Sequence, residues 1–290
     1  MRNGILSFGL LVMLSSQSLF ASPKTDSIRT FLGGSDAKFV WFRWAWCNDD
    51  YTPKTEAKAQ SDGFSLMLLD TREGTERTLV AGISSANKVL YSTRISRSGK
   101  WVTFMEGTKS YIVNLTSPSP TKTLFLDKSN CTFWAVRAVG MDPSNGTEYA
   151  YCLDNSEYPS AGQGSGIYKV KINADGTSDR TGATKLTISG NPKIDEMFSV
   201  SADGKKLGGA FPWPNVKILD ISTGSLLSRH AGGFGCQPNL APDNSYRLYH
   251  CEGDHLGIIM FGSNLQDATN WFVNLGKNLA GNTLSGMDFA

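Results

Sequence analysis

Short segments in which apolar and polar residues alternate recur along the chain between turn signals. In the first clear copy, the turn Ser98-Gly99 precedes a strand-like segment at 101–104 and another at 111–115. Alternation of this kind between glycine- and aspartate-containing turns is typical of β-strands. Further copies follow in the same order of turn, strand and strand, at residues 142–172, 202–221 and 241–261.

The spacing of these copies is close to the period of about 40 to 50 residues that marks β-propellers, in which each repeat forms one small sheet. Residues 154–166 lengthen the second copy and are rich in Gly and Ser, which predicts a loop. Residues 38–47 and 64–70 form a fifth, degenerate copy without the Asp-Gly turn. We therefore predict an all-β fold over residues 38–290, a β-propeller with about five to six four-stranded blades.

Two of the turns carry a more specific motif. Residues 198–206 read Phe-Ser-Val-Ser-Ala-Asp-Gly-Lys-Lys, and residues 236–245 read Cys-Gln-Pro-Asn-Leu-Ala-Pro-Asp-Asn-Ser. In such turns the aspartate side chain caps the backbone, and glycine or asparagine adopts the left-handed conformation at little cost. The motif resembles the Ser-Pro-Asp-Gly-Lys repeat of TolB-like six-bladed propellers, a WD-like repeat family, although Ser98 replaces the aspartate in the first copy. That resemblance implies the fold, but it is shared by periplasmic scaffolds, peptidase propellers and oligogalacturonate lyases.

The N-terminal residues have the pattern of a secretory signal peptide. Arg2 precedes an apolar run at 5–14, and a polar stretch then leads to Ala21. A membrane span needs about 20 apolar residues, so this run is too short for one. We predict a signal peptide at 1–21, an N-terminal linker at 22–37, and a periplasmic or secreted protein without stable membrane insertion. The first cysteine is Cys47, which leaves no attachment point for a lipid anchor near the cleavage region.

The last residues resemble the start of another repeat. Residues 284–290 follow a turn-rich segment and have the pattern of an opening strand. A propeller closes its ring to remove exposed sheet edges. Either the sequence is a fragment of a longer protein, which we favour, or this strand completes the first blade.

Charge gives little information about partners. The net charge is +2 and both signs are interspersed, so the basic stripe expected of a nucleic-acid-binding protein is missing and we predict no nucleic-acid partner. Aromatic residues make up 11% of the chain and glycines number 30, a composition that suits many short strands separated by turns.

The chain contains five cysteines, which in an exported protein are first interpreted as disulfide partners. Cys236 and Cys251 flank the turn of the last copy symmetrically, so a hairpin would place them opposite each other. Cys131 and Cys152 flank the turn of the second copy and form the second predicted pair. Cys47 then remains, and we interpret it as a buried free thiol in preference to a partner in sequence beyond this chain.

Chemically reactive side chains cluster at one place. His250, Asp254 and His255 lie within six residues, a set that could suggest a metal site. Alternate residues of a strand point to opposite faces, however, and no other histidine is close, so we predict no metal and no cofactor. We interpret His250, Asp254 and His255 as polar residues at a blade rim and as candidates for ligand binding. Trp213 lies between two prolines and is the aromatic residue that we expect to contact a ligand.

Two functions remain open at this stage. We favour an exported, monomeric, non-catalytic propeller that binds a protein or glycan ligand in the cell envelope or outside the cell. The alternative is a carbohydrate-active enzyme, a polysaccharide lyase or hydrolase, with its site on the axial face. The first is favoured because neither a nucleophile elbow nor a pair of catalytic carboxylates can be identified.

Overall fold

The computed structural model describes residues 23–43, 55, 63–83, 93–154, 166–194, 198–211, 215–228, 236–241, 244–251, 258–263, 265 and 268–271. The secondary structure of these residues consists of one helix, α1 (Pro23–Phe31), and nineteen strands joined by turns. In this part of the chain no helix is long and apolar enough to cross a bilayer. Because α1 begins within the segment predicted to be a linker, that segment is partly helical. Asp26 in its first turn and Arg29 in its last complement the helix dipole.

Sixteen of the strands form four four-stranded sheets, in which neighbouring strands follow the order of the chain. Blade A contains β4 (Arg94–Ile95), β5 (Trp101–Glu106), β6 (Lys109–Asn114) and β7 (Lys122–Asp127). Blade B contains β8 (Ala135–Met141), β9 (Glu148–Leu153), β10 (Ile167–Ile172) and β11 (Ser178–Lys185). Blade C contains β12 (Phe198–Val200), β13 (Lys206–Ala210), β14 (Val216–Asp220) and β15 (Leu226–Ser228). Blade D contains β16 (Cys236–Leu240), β17 (Leu248–Cys251), β18 (Ile258–Phe261) and β19 (Ala268–Trp271).

A three-stranded sheet precedes these blades, formed by β1 (Lys38–Arg43), β2 (Phe64–Asp70) and β3 (Thr75–Ile83). Its last turn matches the turn between the third and fourth strands of blade C. Asp70 Oδ1 accepts hydrogen bonds from the N–H groups two and three residues ahead, and Asp220 Oδ1 does the same. The glycine four residues after each aspartate has a positive φ. The three strands thus correspond to the second, third and fourth strands of a blade.

The repeated four-stranded meanders define a β-propeller, which confirms the predicted all-β fold with four-stranded and incomplete blades. The chain divides into two compact units, of which the smaller contains α1 and residues 68–77 and the larger contains all four blades. One apolar core in the larger unit includes buried residues of blades A, B and C, among them Trp101, Tyr151 and Phe198. A second group, which includes Val216, Leu240 and Leu248, joins blades C and D.

The turn between the first and second strands of each blade, here called the first turn, contacts the neighbouring blade. Ser98 Oγ of blade A donates to Glu148 Oε1 of blade B at 2.7 Å. Gly204 in the first turn of blade C packs directly against the backbone carbonyl of Met141 in blade B. Tyr246 of blade D donates its hydroxyl hydrogen to Asp203 Oδ2 of blade C at 2.5 Å. The first turns therefore form a row of contacts that joins consecutive blades at one end of the sheets.

Ser98 fills the role that aspartate has in the repeat motif. Its Oγ accepts a hydrogen bond from Lys100 N at 3.0 Å, as Asp203 Oδ1 accepts one from Lys205 N at 3.2 Å. Both side chains also bond to a serine hydroxyl two residues earlier, on Ser96 and Ser201 respectively. The replacement of aspartate by serine therefore preserves the turn, since either oxygen can cap the same backbone N–H.

Acid should weaken the contact between blades C and D. Burial by itself would raise the pKa of Asp203, but hydrogen bonds from Tyr246, Ser201 and the N–H of Lys205 outweigh it and hold that pKa below its usual value. A carboxyl whose pKa is lowered by folding stabilises the folded state above its ordinary pKa of about 3.9 and loses this effect as pH falls through the folded-state value.

We therefore expect Asp203→Asn to be less stable than the wild type at neutral pH, with the difference shrinking as pH falls below about 4. Urea unfolding of both proteins across that range measures the difference in free energy of unfolding. A difference that stayed constant with pH would mean that the ionised carboxylate is not what stabilises this contact.

Candidate functional site

A cleft opens between blades A and B, beside their outer strands β7 and β11. Its volume is about 220 Å³, and it is lined by Leu124, Phe125, Leu126, Asp127, Asn130, Thr177, Ser178 and Arg180. In their sheets, β7 pairs with β6 and β11 pairs with β10, so each is an edge strand. The hydroxyl of Ser178 donates to the carbonyl oxygen of Phe125 at 2.7 Å and joins the two strands at the base of the cleft.

The carbonyl of Phe125 is available because β7 contains a bulge. Ser110 pairs with Leu126 and Tyr111 pairs with Leu124, so Phe125 is an extra residue without a cross-strand partner in β6. A bulged residue leaves the regular ladder of hydrogen bonds, and its backbone groups can bond elsewhere. Here the bond goes to the neighbouring blade.

A larger bulge in β11 presents Arg180. Asp179 pairs with Lys171 and Thr184 pairs with Lys169, so residues 180–183 lie opposite the single residue Val170. The carboxylate of Asp179 closes this bulge, because its Oδ1 accepts hydrogen bonds from the N–H of residue 182 at 2.9 Å and from the hydroxyl of residue 181 at 3.1 Å. Bulges of this kind redirect side chains beside functional sites.

The guanidinium of Arg180 lies across the cleft. Its Nη1 donates to Asn130 Oδ1 at 2.8 Å, a contact between residues that are 50 positions apart. Asn130 is a neutral amide, so it positions the guanidinium without neutralising its charge. Among the residues that the structure describes, no carboxylate lies within salt-bridge distance of Arg180.

The carboxylate in the cleft, on Asp127, is already engaged. Its Oδ1 accepts a hydrogen bond from Ser129 N at 2.9 Å, and its Oδ2 lies 3.7 Å from Lys109 Nζ. The backbone and hydroxyl of Ser129, together with Lys109, hold the pKa of Asp127 below its usual value. At neutral pH this group is therefore an ionised acceptor and a poor proton donor.

An apolar side chain lies beside these polar groups. Leu124 is 46% exposed, whereas its neighbours Phe125 and Leu126 are buried. The cleft therefore combines a cation without a carboxylate partner, hydrogen-bonding side chains and an exposed leucine. This combination suits binding of a ligand that has both a negative charge and an apolar group.

The predicted cysteine pair of blade B lies next to the cleft. Cys131 follows Asn130, and both Cys131 and Cys152 are buried and free in the structure. Burial raises the pKa of the Cys131 thiol and, with a contribution from the charge of Cys131, raises that of Cys152 further. Neither thiol is therefore a ready nucleophile at neutral pH. A bond between them stays a prediction.

The structure describes only some of the other predicted site residues. Trp213, Asp254, His255 and Cys47 lie outside the described residues. His250 lies in β17, where it pairs with Ile259 of β18. Among the described residues, no group of three or more His, Cys, Asp or Glu side chains is arranged to hold a metal ion.

Cys236 and Cys251 are direct cross-strand partners of β16 and β17. A register shift between Cys236 and Asn239 brings them opposite each other, since regular pairing continued from Leu240 and Leu248 would place residue 237 opposite Cys251. The disulfide itself stays a prediction.

The fold and the cleft together define a β-propeller with a polar and apolar cleft between two blades. No protein-family model matches the chain, and no curated protein is similar to it in sequence. Among similar solved structures is a nidogen/laminin complex, with 11% identity, a TM-score of 0.45 and 71% of each chain covered. The AztD structure of Citrobacter koseri without ligand has 10% identity and a TM-score of 0.38 over 74% of this chain and 54% of AztD.

A protein described as a TolB from Agrobacterium tumefaciens is also among them. It shares 17% identity over 68% of this chain and 65% of its own, with a TM-score of 0.45. At these values the likenesses concern the fold alone and carry no argument about ligands or activity.

Proposed function

We propose that this chain is an exported, non-catalytic β-propeller that binds a protein or glycan ligand in the cell envelope or outside the cell, with the cleft between β7 and β11 as its binding site. The observation that carries this proposal is the placement of Arg180, which a bulge directs into the cleft beside the exposed Leu124. The predicted signal peptide at 1–21 supports export.

The chemistry of the cleft favours binding over catalysis. Asp127 is held ionised by Ser129 and Lys109, so it lacks the raised pKa that a carboxylic acid needs to donate a proton at neutral pH. An arginine guanidinium such as that of Arg180 has five N–H donors and no acceptor. What these groups offer a ligand is charge and hydrogen bonds.

Filling the cleft should weaken ligand binding. We expect Leu124→Trp to weaken binding of any ligand found on a glycan or peptide array by at least about tenfold, because the indole would occupy the space beside Arg180 and a tenfold change needs only about 1.4 kcal/mol. Leu227→Trp is the matched control, since Leu227 is 41% exposed on β15, the outer strand of blade C. Binding is measured by surface plasmon resonance with both variants and the wild type.

Equal binding by the wild type and both variants would place the ligand elsewhere on the protein. Release of unsaturated or reducing ends from pectic or algal polysaccharides by the wild type would instead replace this proposal with the lyase or hydrolase alternative.

A further inference from the structure

From the charge and shape of the cleft we infer that its ligand is an extended peptide segment of a partner protein, in which a carboxylate side chain binds Arg180 and a nearby apolar side chain packs on Leu124. This inference rests on the proposed function and names the class of its ligand.

The hydrogen bonding of the Arg180 guanidinium points to an acidic group on the ligand. A guanidinium has five N–H donors in a fixed fork, and its preferred partner is a carboxylate bound through two parallel hydrogen bonds. In the structure the one side-chain hydrogen bond of Arg180 to a described residue goes to Asn130 Oδ1. That amide holds the guanidinium in place, and its remaining donors have no partner among the described residues. The carboxylate of the lining, on Asp127, is bonded to Ser129 and Lys109 instead.

The edges of the cleft point to an extended backbone. Both β7 and β11 are outer strands, and each has one edge that pairs with no other strand of its sheet. Edge strands of this kind accept a further strand through main-chain hydrogen bonds. Side chains two residues apart in such a strand lie on one face at about 7 Å. A carboxylate and an apolar side chain can thus reach the cleft together.

The size and lining of the cleft distinguish a peptide from a sugar. Its volume of about 220 Å³ is below the usual range for small-molecule sites, about 300 to 1,000 Å³, and suits a few side chains of a longer ligand. The one aromatic residue of the lining, Phe125, is only 3% exposed. The described lining therefore offers no exposed ring on which a sugar could stack.

The test uses three fluorescein-labelled decapeptides in which every second residue is serine and the positions between the serines alternate valine with glutamate, with glutamine or with lysine, so that both side chains of the proposed pair lie on one face of an extended strand. We expect the wild type to bind the glutamate peptide at least about tenfold more tightly than the glutamine peptide, measured by fluorescence anisotropy at low salt. Added salt should reduce this preference through screening. The lysine peptide should bind most weakly.

Two arginine variants show whether Arg180 causes the preference. Arg180→Gln should bind the glutamate and glutamine peptides equally, whereas Arg247→Gln should retain the wild-type preference. Arg247 is the matched control, since it is an exposed arginine of blade D outside the cleft lining. Arg180→Lys should recover only part of the preference, because an ammonium group lacks the bidentate fork. Thermal melts of each variant confirm that it is folded.

Equal binding of the glutamate and glutamine peptides by the wild type, or an unchanged preference in Arg180→Gln, would overturn the inference. If an oligogalacturonate binds in an Arg180-dependent manner and the peptides do not, the peptide is the wrong ligand class while the cleft remains the binding site. If Leu124→Trp leaves every observed binding event unchanged, the cleft is not the binding site, and the proposed function fails in that part.

Discussion

Gly204→Ala should lower the free energy of unfolding by about 3 to 4 kcal/mol, while the equivalent change Gly146→Ala should lower it by only about 1 to 2 kcal/mol. Both glycines lie in first turns, and their φ values are +67° and +69°. A side chain at either position therefore meets the same cost of a left-handed backbone. The two sites differ in their surroundings, because a Cβ at 204 would lie 2.3 Å from the carbonyl oxygen of Met141, whereas a Cβ at 146 would have no neighbour within 4 Å.

The excess loss in Gly204→Ala therefore measures how closely blade C packs on blade B. The colliding atom is backbone at the end of β8, so the collision can be relieved only by moving one blade relative to the other. Urea unfolding of the two variants and the wild type gives the comparison directly. Similar losses of unfolding free energy at the two glycines would show instead that the blades can move apart at little cost in free energy.

The second large effect concerns the cysteines of blade D. Cys251→Ser should lower the free energy of unfolding by about 3 kcal/mol under oxidising conditions, the loss expected for a disulfide that closes a loop of about 15 residues. The register pairs Cys236 directly with Cys251. Cross-strand Cα atoms lie about 4.5 to 5.5 Å apart in antiparallel sheets, within the range of about 4.4 to 6.8 Å that a disulfide spans.

A reducing agent should destabilise the wild type by the same amount and should have a smaller effect on the double variant Cys236→Ser/Cys251→Ser. Peptide mapping by mass spectrometry identifies the bond. The prediction fails if the unreduced protein yields peptides with free thiols at both positions, or if reductant changes the double variant as much as the wild type.

The parts of the fold that the sequence predicted are those with local signals. The first turns and the strands after them, such as β13 and β14, are specified by Asp-Gly pairs and by alternating apolar residues. The outer strands were not predicted, because an edge strand with exposed faces has no need for alternation. Strand β11 reads Ser-Asp-Arg-Thr-Gly-Ala-Thr-Lys and contains almost no apolar residue.

The candidate site was missed for a related reason. Trp213 and His255 were predicted from the chemistry of their own side chains. Arg180 and Asn130, in contrast, become neighbours only when two blades pack together. Nothing local links positions 50 residues apart. The one available signal was Gly182 within a strand-like segment, since a glycine there often marks a bulge.

The two ends of the blades differ in how well they should tolerate inserted residues. The first turns are held by neighbouring blades, so added residues there would disturb the contacts between blades. The connection between β9 and β10 is different, because Asp154 N donates to Gly166 O at 2.9 Å and the two ends of the insertion are bonded to each other. The closure entropy of such a loop rises only by about 0.6 kcal/mol for each doubling of its length. A binding loop or an epitope could therefore be grafted between these two residues without altering the register of the blade.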